Sequence, residues 1–157
     1  MGIPLRVHLI LLIFLPFVAL RYISLAFTGA GFSGSGLLLG LYLFVAFIGV
    51  LYGSIVAHEF GHCWGYRLVG GGTDQIIITP IGGLAMGYGA DQSPKTEFLT
   101  TVLGPAVTVV LCIVGAGFYF GLRELVQYLD ISLIWQLVIV EPFRLLFWLN
   151  LYLGLFN

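Results

Sequence analysis

Charge is what this sequence has least of. Only 6 of its 157 residues are Lys or Arg and 7 are Asp or Glu, while 60% are hydrophobic and the mean hydropathy is +1.09. An ordinary soluble domain is about 25% charged and about 45–50% apolar. A chain with 8% charge cannot coat a globule of this size, so a soluble monomer is excluded. Intrinsic disorder is excluded as well, because it needs low hydrophobicity and high charge. A basic patch is also missing: the net charge is -1, so no nucleic-acid partner is expected. Cysteine is scarce. Cys63 and Cys112 both sit in apolar stretches, where two thiols read as small buried hydrophobes rather than as a disulfide framework. What remains is an integral membrane protein with the lipid bilayer as its solvent.

A spanning helix needs about 20 mostly apolar residues, and four segments supply them. The first covers residues 7–28 and carries Pro16 and Arg21. Its apolar run continues past Arg21 with no clear cleavage site, so it reads as a retained span rather than a signal peptide. The second covers 36–66. Within it, Gly49, Gly53, Ala57, Gly61 and Gly65 recur every fourth residue, a strip of small side chains that lets another helix approach closely. The third covers 97–121 behind the start signal Ser93-Pro94 and the acidic Glu97, with Gly104-Pro105 expected to kink it. Arg123, Glu124 and Asp130 read as a polar connection. The fourth covers 132–157 and holds Glu141, Pro142, Arg144 and Asn150. Intramembrane polar groups of this kind usually face a bundle interior.

Residues 73–90 break the pattern. Ile76, Ile77 and Ile78 favour extended structure, and Pro80 and Gly82-Gly83 interrupt it. The segment reads as a short β-hairpin. Non-helical backbone at membrane depth survives only where protein or a water-filled cavity covers it. The expected fold is therefore an all-α polytopic membrane protein. It has about four transmembrane helices, a hairpin-like segment between the second and third, and a single membrane-embedded core over residues 1–157. If the spans alternate, Arg6, Arg67 and Lys95 share one side and Arg123 lies opposite. The positive-inside rule then puts the end of the second span on the cytoplasmic side of a cell membrane.

His58-Glu59-Phe60-Gly61-His62 fits H-E-x-x-H. On a helix, positions i and i+4 share a face, so two imidazoles can reach one ion. Zn²⁺ accepts imidazole nitrogen and tolerates an open position in catalytic sites. Glu59 lies about 100° round the helix from His58, where it can act as a general base on water beside the metal rather than bind the metal itself. At this chain's own residue frequencies, the pattern would arise by chance in roughly 1 of 700 such sequences. The candidate metal ligands are His58 and His62, and the candidate catalytic base is Glu59. With Arg67 at the interface, His58 sits nine residues in, about 13 Å at 1.5 Å per residue.

H-E-F-G-H at the end of an apolar span resembles the intramembrane metalloproteases of the site-2 protease family. Thr79-Pro80-Ile81-Gly82-Gly83-Leu84-Ala85 is similar to that family's Gly-Gly loop, which implies a substrate-positioning role for Gly82 and Gly83. Ser93 to Glu97 with Leu103-Gly104-Pro105 resembles the family's next helix. Trp148 to Asn157 resembles the helix leading into its second catalytic motif. The resemblance covers about residues 45–157. It implies a zinc endopeptidase with one Zn²⁺ per chain, acting on transmembrane or membrane-tethered proteins.

The second motif of the family reads N-x-x-P-x-x-P-x-D-G, and its Asp is the third zinc ligand. Here Asn157 matches the first residue and is the last one present. By resemblance Asn157 helps hold the substrate, and the third ligand is expected beyond it, in a longer chain. The 157 residues are then expected to be a truncated core, inactive as a fragment. Asp74, Asp91, Asp130, Glu141, Cys63 and Glu97 do not stand in for that Asp by their positions along the chain. Two alternatives accompany this reading. One is a non-catalytic pseudoprotease or scaffold that binds transmembrane helices. The other is a different membrane H-E-x-x-H class using Glu141 as its late ligand.

Overall fold

The structure is a computed structural model that describes residues 2–30, 33–80, 82–91 and 93–156. A short strand β1 (Leu5–Val7) leads into helix α1 (Ile10–Ala30), then α2 (Gly34–Leu68). Strands β2 (Gly72–Thr79) and β3 (Gly82–Tyr88) follow, and helices α3 (Pro94–Tyr128) and α4 (Leu133–Phe156) complete the chain. Helices α2, α3 and α4 are long and apolar enough to cross a membrane. Helix α1 contributes a shorter apolar stretch, Ile13–Leu25. This composition fits a multi-pass membrane protein. Large side chains such as Phe17 and Ile113 stand outward, 69% and 66% exposed, as lipid-facing residues must.

Two serines start the long helices. Ser33 accepts a hydrogen bond from the Gly36 N–H and Ser93 from the Thr96 N–H, at 3.2 and 3.3 Å. Each satisfies a donor that the first helical turn would otherwise leave unpaired. Pro94 opens α3 and Glu97 lies in its first turn. Ahead of it, Asp91 accepts hydrogen bonds from the Thr96 and Ser93 hydroxyls, which hold its carboxyl below the usual carboxylate range. At the other end of α2, Gly70 takes a φ of 80° and donates to the Arg67 carbonyl. That left-handed turn suits glycine and redirects the chain into β2.

The sheet corrects the all-α expectation. The hairpin β2–β3 is antiparallel, with Ile76 opposite Ala85 and Ile78 opposite Gly83. On its other edge β1 pairs in parallel with β2, Leu5 against Ile76 and Val7 against Ile78. Val7, read as the start of the first span, is therefore in a strand, and the helix begins at Ile10. Helix α3 also runs on to Tyr128, so Arg123 and Glu124 are helical and the turn is short. Asp130 marks that turn with a φ of 49°.

Ile76 and Ile78 point inward from β2 onto Leu51, Ile55 and Cys63 of α2. This core fixes the sheet beside the second half of α2. Both cysteines are free thiols. The small-residue strip works over part of its length. A Cβ at Gly61 would stand 2.4 Å from the Leu103 carbonyl oxygen, and one at Gly65 would stand 2.6 Å from that of Leu99. Both glycines therefore let α3 lie directly on α2. At Gly49 and Gly53 a Cβ would meet nothing within 4 Å.

Candidate metal centre

His58 and His62 stand one turn apart on α2, on the face that α3 covers. Helix α3 answers with residues four apart: Thr96, Thr100, Gly104 and Thr108 are all buried. His58 Nδ1 meets the Thr108 hydroxyl at 2.6 Å, and His62 Nδ1 meets the Thr100 carbonyl at 2.6 Å. A carbonyl only accepts, so His62 carries its proton on Nδ1. The Thr108 hydroxyl lies 3.2 Å from the Gly104 carbonyl. The hydroxyl therefore links the His58 ring to the α3 backbone. The network assigns Nδ1–H to His62 and turns that ring's Nε2 lone pair toward His58.

Those two Nε2 atoms face each other at 3.0 Å, with the rings inclined at 74°. Two imidazoles brought this close share either one Nε2–H or a cation. Two imidazole nitrogens on one tetrahedral zinc ion stand about 3.3 Å apart. The donor set and its orientation therefore fit a divalent metal. Anchoring the remote ring nitrogen is also how metal-binding histidines are ordinarily held. Among the described residues no group of three or more His, Cys, Asp or Glu side chains is assembled to hold a metal. The remaining histidine, His8, accepts the Ile10 N–H at the start of α1 and is exposed.

Glu59 is 2% exposed and accepts a hydrogen bond from the Ala85 backbone N–H of β3. A Cβ at Gly83 would fall 2.5 to 2.7 Å from the Glu59 side chain, so the hairpin lies on the carboxylate only because this residue is glycine. Gly82 makes no comparable contact. Glu59, His62, Gly83 and Ala85 border a cavity of about 250 Å³. A second, polar cavity of about 470 Å³, lined by Asp91 and Glu97, shares Tyr66 and Thr100 with the first. Asn157 lies outside the described residues. Glu141 is bound to Arg144 at 2.5 Å, so it is committed to an ion pair within α4.

The spacing of H-E-x-x-H pointed to His58, Glu59 and His62. Thr100 and Thr108 were missed, although hydroxyls every fourth or eighth residue in an apolar helix are a readable signal. Thr108→Val keeps the shape but removes the hydroxyl that meets His58 Nδ1 at 2.6 Å and orients the ring. We expect this variant to bind zinc about 10–100-fold more weakly, measured by calorimetric titration, with an unchanged helical spectrum.

Comparison with known proteins gives one significant relative among curated sequences. The chain is 30% identical over 161 residues to zinc metalloprotease MJ0392 of Methanocaldococcus jannaschii, an alignment that takes in 100% of this chain. The chain spans 38% of that relative's length. No protein-family model matches the chain, and no solved structure matches it.

Proposed function

We propose that this chain is the membrane-embedded core of an intramembrane zinc metalloprotease of the site-2 type. Its substrates would be transmembrane or membrane-tethered proteins, cut near the cytoplasmic face of a cell membrane. One observation carries the reading: two imidazole Nε2 atoms converge at 3.0 Å, beside a buried carboxylate, inside a helix long and apolar enough to span a bilayer. The similarity to a zinc metalloprotease over the whole chain supports it.

His58 and His62 would hold the ion. A zinc there would supply Lewis-acid polarisation of the scissile carbonyl. The chain's own residues do the rest. Thr100 and Thr108 fix the two rings. Glu59 takes the proton of an attacking water and returns it to the departing amine. The hairpin closes one side of the carboxylate, and the polar cavity shared through Tyr66 and Thr100 offers water a way in. Catalytic zinc normally has three protein ligands. This reading assigns the third to residues outside those described.

The test uses the full-length protein in liposomes with a membrane-tethered reporter. Cleavage should be lost on chelation and restored by zinc. A reporter left intact with zinc bound would instead favour the scaffold reading.

A further inference from the structure

We propose that Asn150 is a positioning residue for the metal centre: its buried hydrogen bond to Ser54 fixes the register of α4 against α2, one turn from His58. This rests on the protease reading and deepens it, because the bond would set where the full-length protein brings its third ligand. Asn150 is 1% exposed and Ser54 is 2% exposed. Asn150 Nδ2 donates to the Ser54 hydroxyl oxygen at 2.8 Å and to the Leu146 carbonyl of its own helix at 2.8 Å. A carbonyl only accepts, so the group that meets both partners is the amide NH₂. Oδ1 is buried with no hydrogen-bond donor among the described residues. A buried acceptor left unpaired lowers stability, so packing alone does not favour this amide. A single buried Asn specifies the register of paired helices at just such a cost.

The neighbouring contacts carry the bond to the site. From Ser54 to His58 α2 advances one turn, and from Asn150 to Gly154 α4 does the same, about 6 Å each. A Cβ at Gly154 would lie 3.9 Å from the Thr108 methyl group, and the Thr108 hydroxyl meets His58 Nδ1. The two helices therefore climb in the same direction and in step, and α4 backs the residue that orients His58. Phe156 ends α4 just beyond Gly154, level with the turn between His58 and His62. Residues that follow α4 in the full-length protein leave it at that height. The other packing between α2 and α4 is apolar: Leu149 and Leu153 rest on the cluster of Leu51 and Ile55. Lipid tails are as apolar as leucine, so such faces discriminate weakly between registers. The bond to Ser54 is met in one register only.

The test uses the full-length protein and readouts that need no substrate. Zinc affinity is measured by calorimetric titration, and cobalt(II) in place of zinc reports ligand number and geometry through its visible bands. Thermal unfolding is measured without metal. Asn150→Leu removes the bond and the unpaired acceptor together. We expect it to unfold at or above the parent's temperature, to bind zinc at least about tenfold more weakly, and to alter the cobalt bands. Leu153→Ala trims α4 against the same core without touching the bond. It should lower the unfolding temperature and leave zinc affinity within error. Ser54→Ala is the smaller change and should weaken zinc binding as much as Asn150→Leu. The double variant should lose no more than either, because one bond is removed twice. Normal zinc affinity and cobalt bands in Asn150→Leu would overturn the proposal. So would losses that add across Ser54 and Asn150, or a zinc loss in Leu153→Ala equal to that in Asn150→Leu. A fall in unfolding temperature in step with zinc affinity, in both Asn150→Leu and Ser54→Ala, would make the pair merely structural. The two readings fail separately. Full-length protein that binds zinc but leaves the reporter intact sinks the protease reading and leaves these metal measurements standing. Reporter cleavage by an Asn150→Leu variant with normal zinc sinks only the register proposal.

Discussion

Glu59→Gln in the full-length protein is expected to lower reporter cleavage by about 10²–10⁴-fold, the usual contribution of a positioned general base. The argument is local. Glutamine has the same shape and its carbonyl can still accept the Ala85 N–H, so the hairpin keeps its seat on α2. Gly83 continues to clear the side chain, because no atom is added. What is lost is proton affinity: an amide cannot take a proton from water at neutral pH. Since Glu59 is not one of the converging Nε2 donors, zinc binding should change little. The measurement therefore has two parts, cleavage rate and metal stoichiometry on the same preparation. Undiminished cleavage with normal zinc would remove Glu59 from the mechanism. Lost cleavage together with lost zinc would make it a ligand or a structural residue instead.

The parts legible in the sequence are those set by local spacing. Composition announced the bilayer, and the uncharged run before His58 announced the helix that carries the site. The isoleucines and glycines of residues 73–90 announced the hairpin, because extended propensity and breakers act over a few residues. Strand β1 was not legible. Leu5, Arg6 and Val7 adjoin an apolar run, and their partners Ile76, Ile77 and Ile78 lie about 70 residues on, so nothing nearby marks the pairing. The length of α3 was misread for a related reason. Arg123 and Glu124 look like a connection when charge is taken to mean a helix end, yet a helix of 35 residues is about 52 Å long. It outruns the hydrocarbon core and can end in water. The pairing of Glu141 with Arg144 was within reach, since i and i+3 share a helix face. The role of Gly104 was hidden behind Pro105: Gly-Pro reads as a kink, but the glycine has a second task that only the packing reveals.

That task sets the other large effect. Gly104→Ala is expected to weaken zinc binding by at least about 10-fold, and up to the 100-fold typical of disturbing a ligand's support. A Cβ at Gly104 would stand 2.3 Å from His62 Nε2 and 2.5 Å from Cε1. That nitrogen is the atom whose lone pair faces His58. Retreat of the α3 backbone would give up the direct contact with α2 that Gly61 and Gly65 allow. Turning the His62 ring relieves the clash at lower cost, and that breaks its 2.6 Å contact with the Thr100 carbonyl and its alignment with His58. The helices themselves need not separate, so the loss should appear in metal affinity before it appears in thermal unfolding. Gly53→Ala is the matched control. It adds the same methyl group to α2 where nothing lies within 4 Å, and it should leave zinc affinity within error of the parent and the unfolding temperature equal or slightly raised, because alanine is the better helix former. Equal losses in the two variants would mean that added helix bulk, rather than the His62 contact, governs the site. An unaffected Gly104→Ala would mean that the ring has room which this packing denies it.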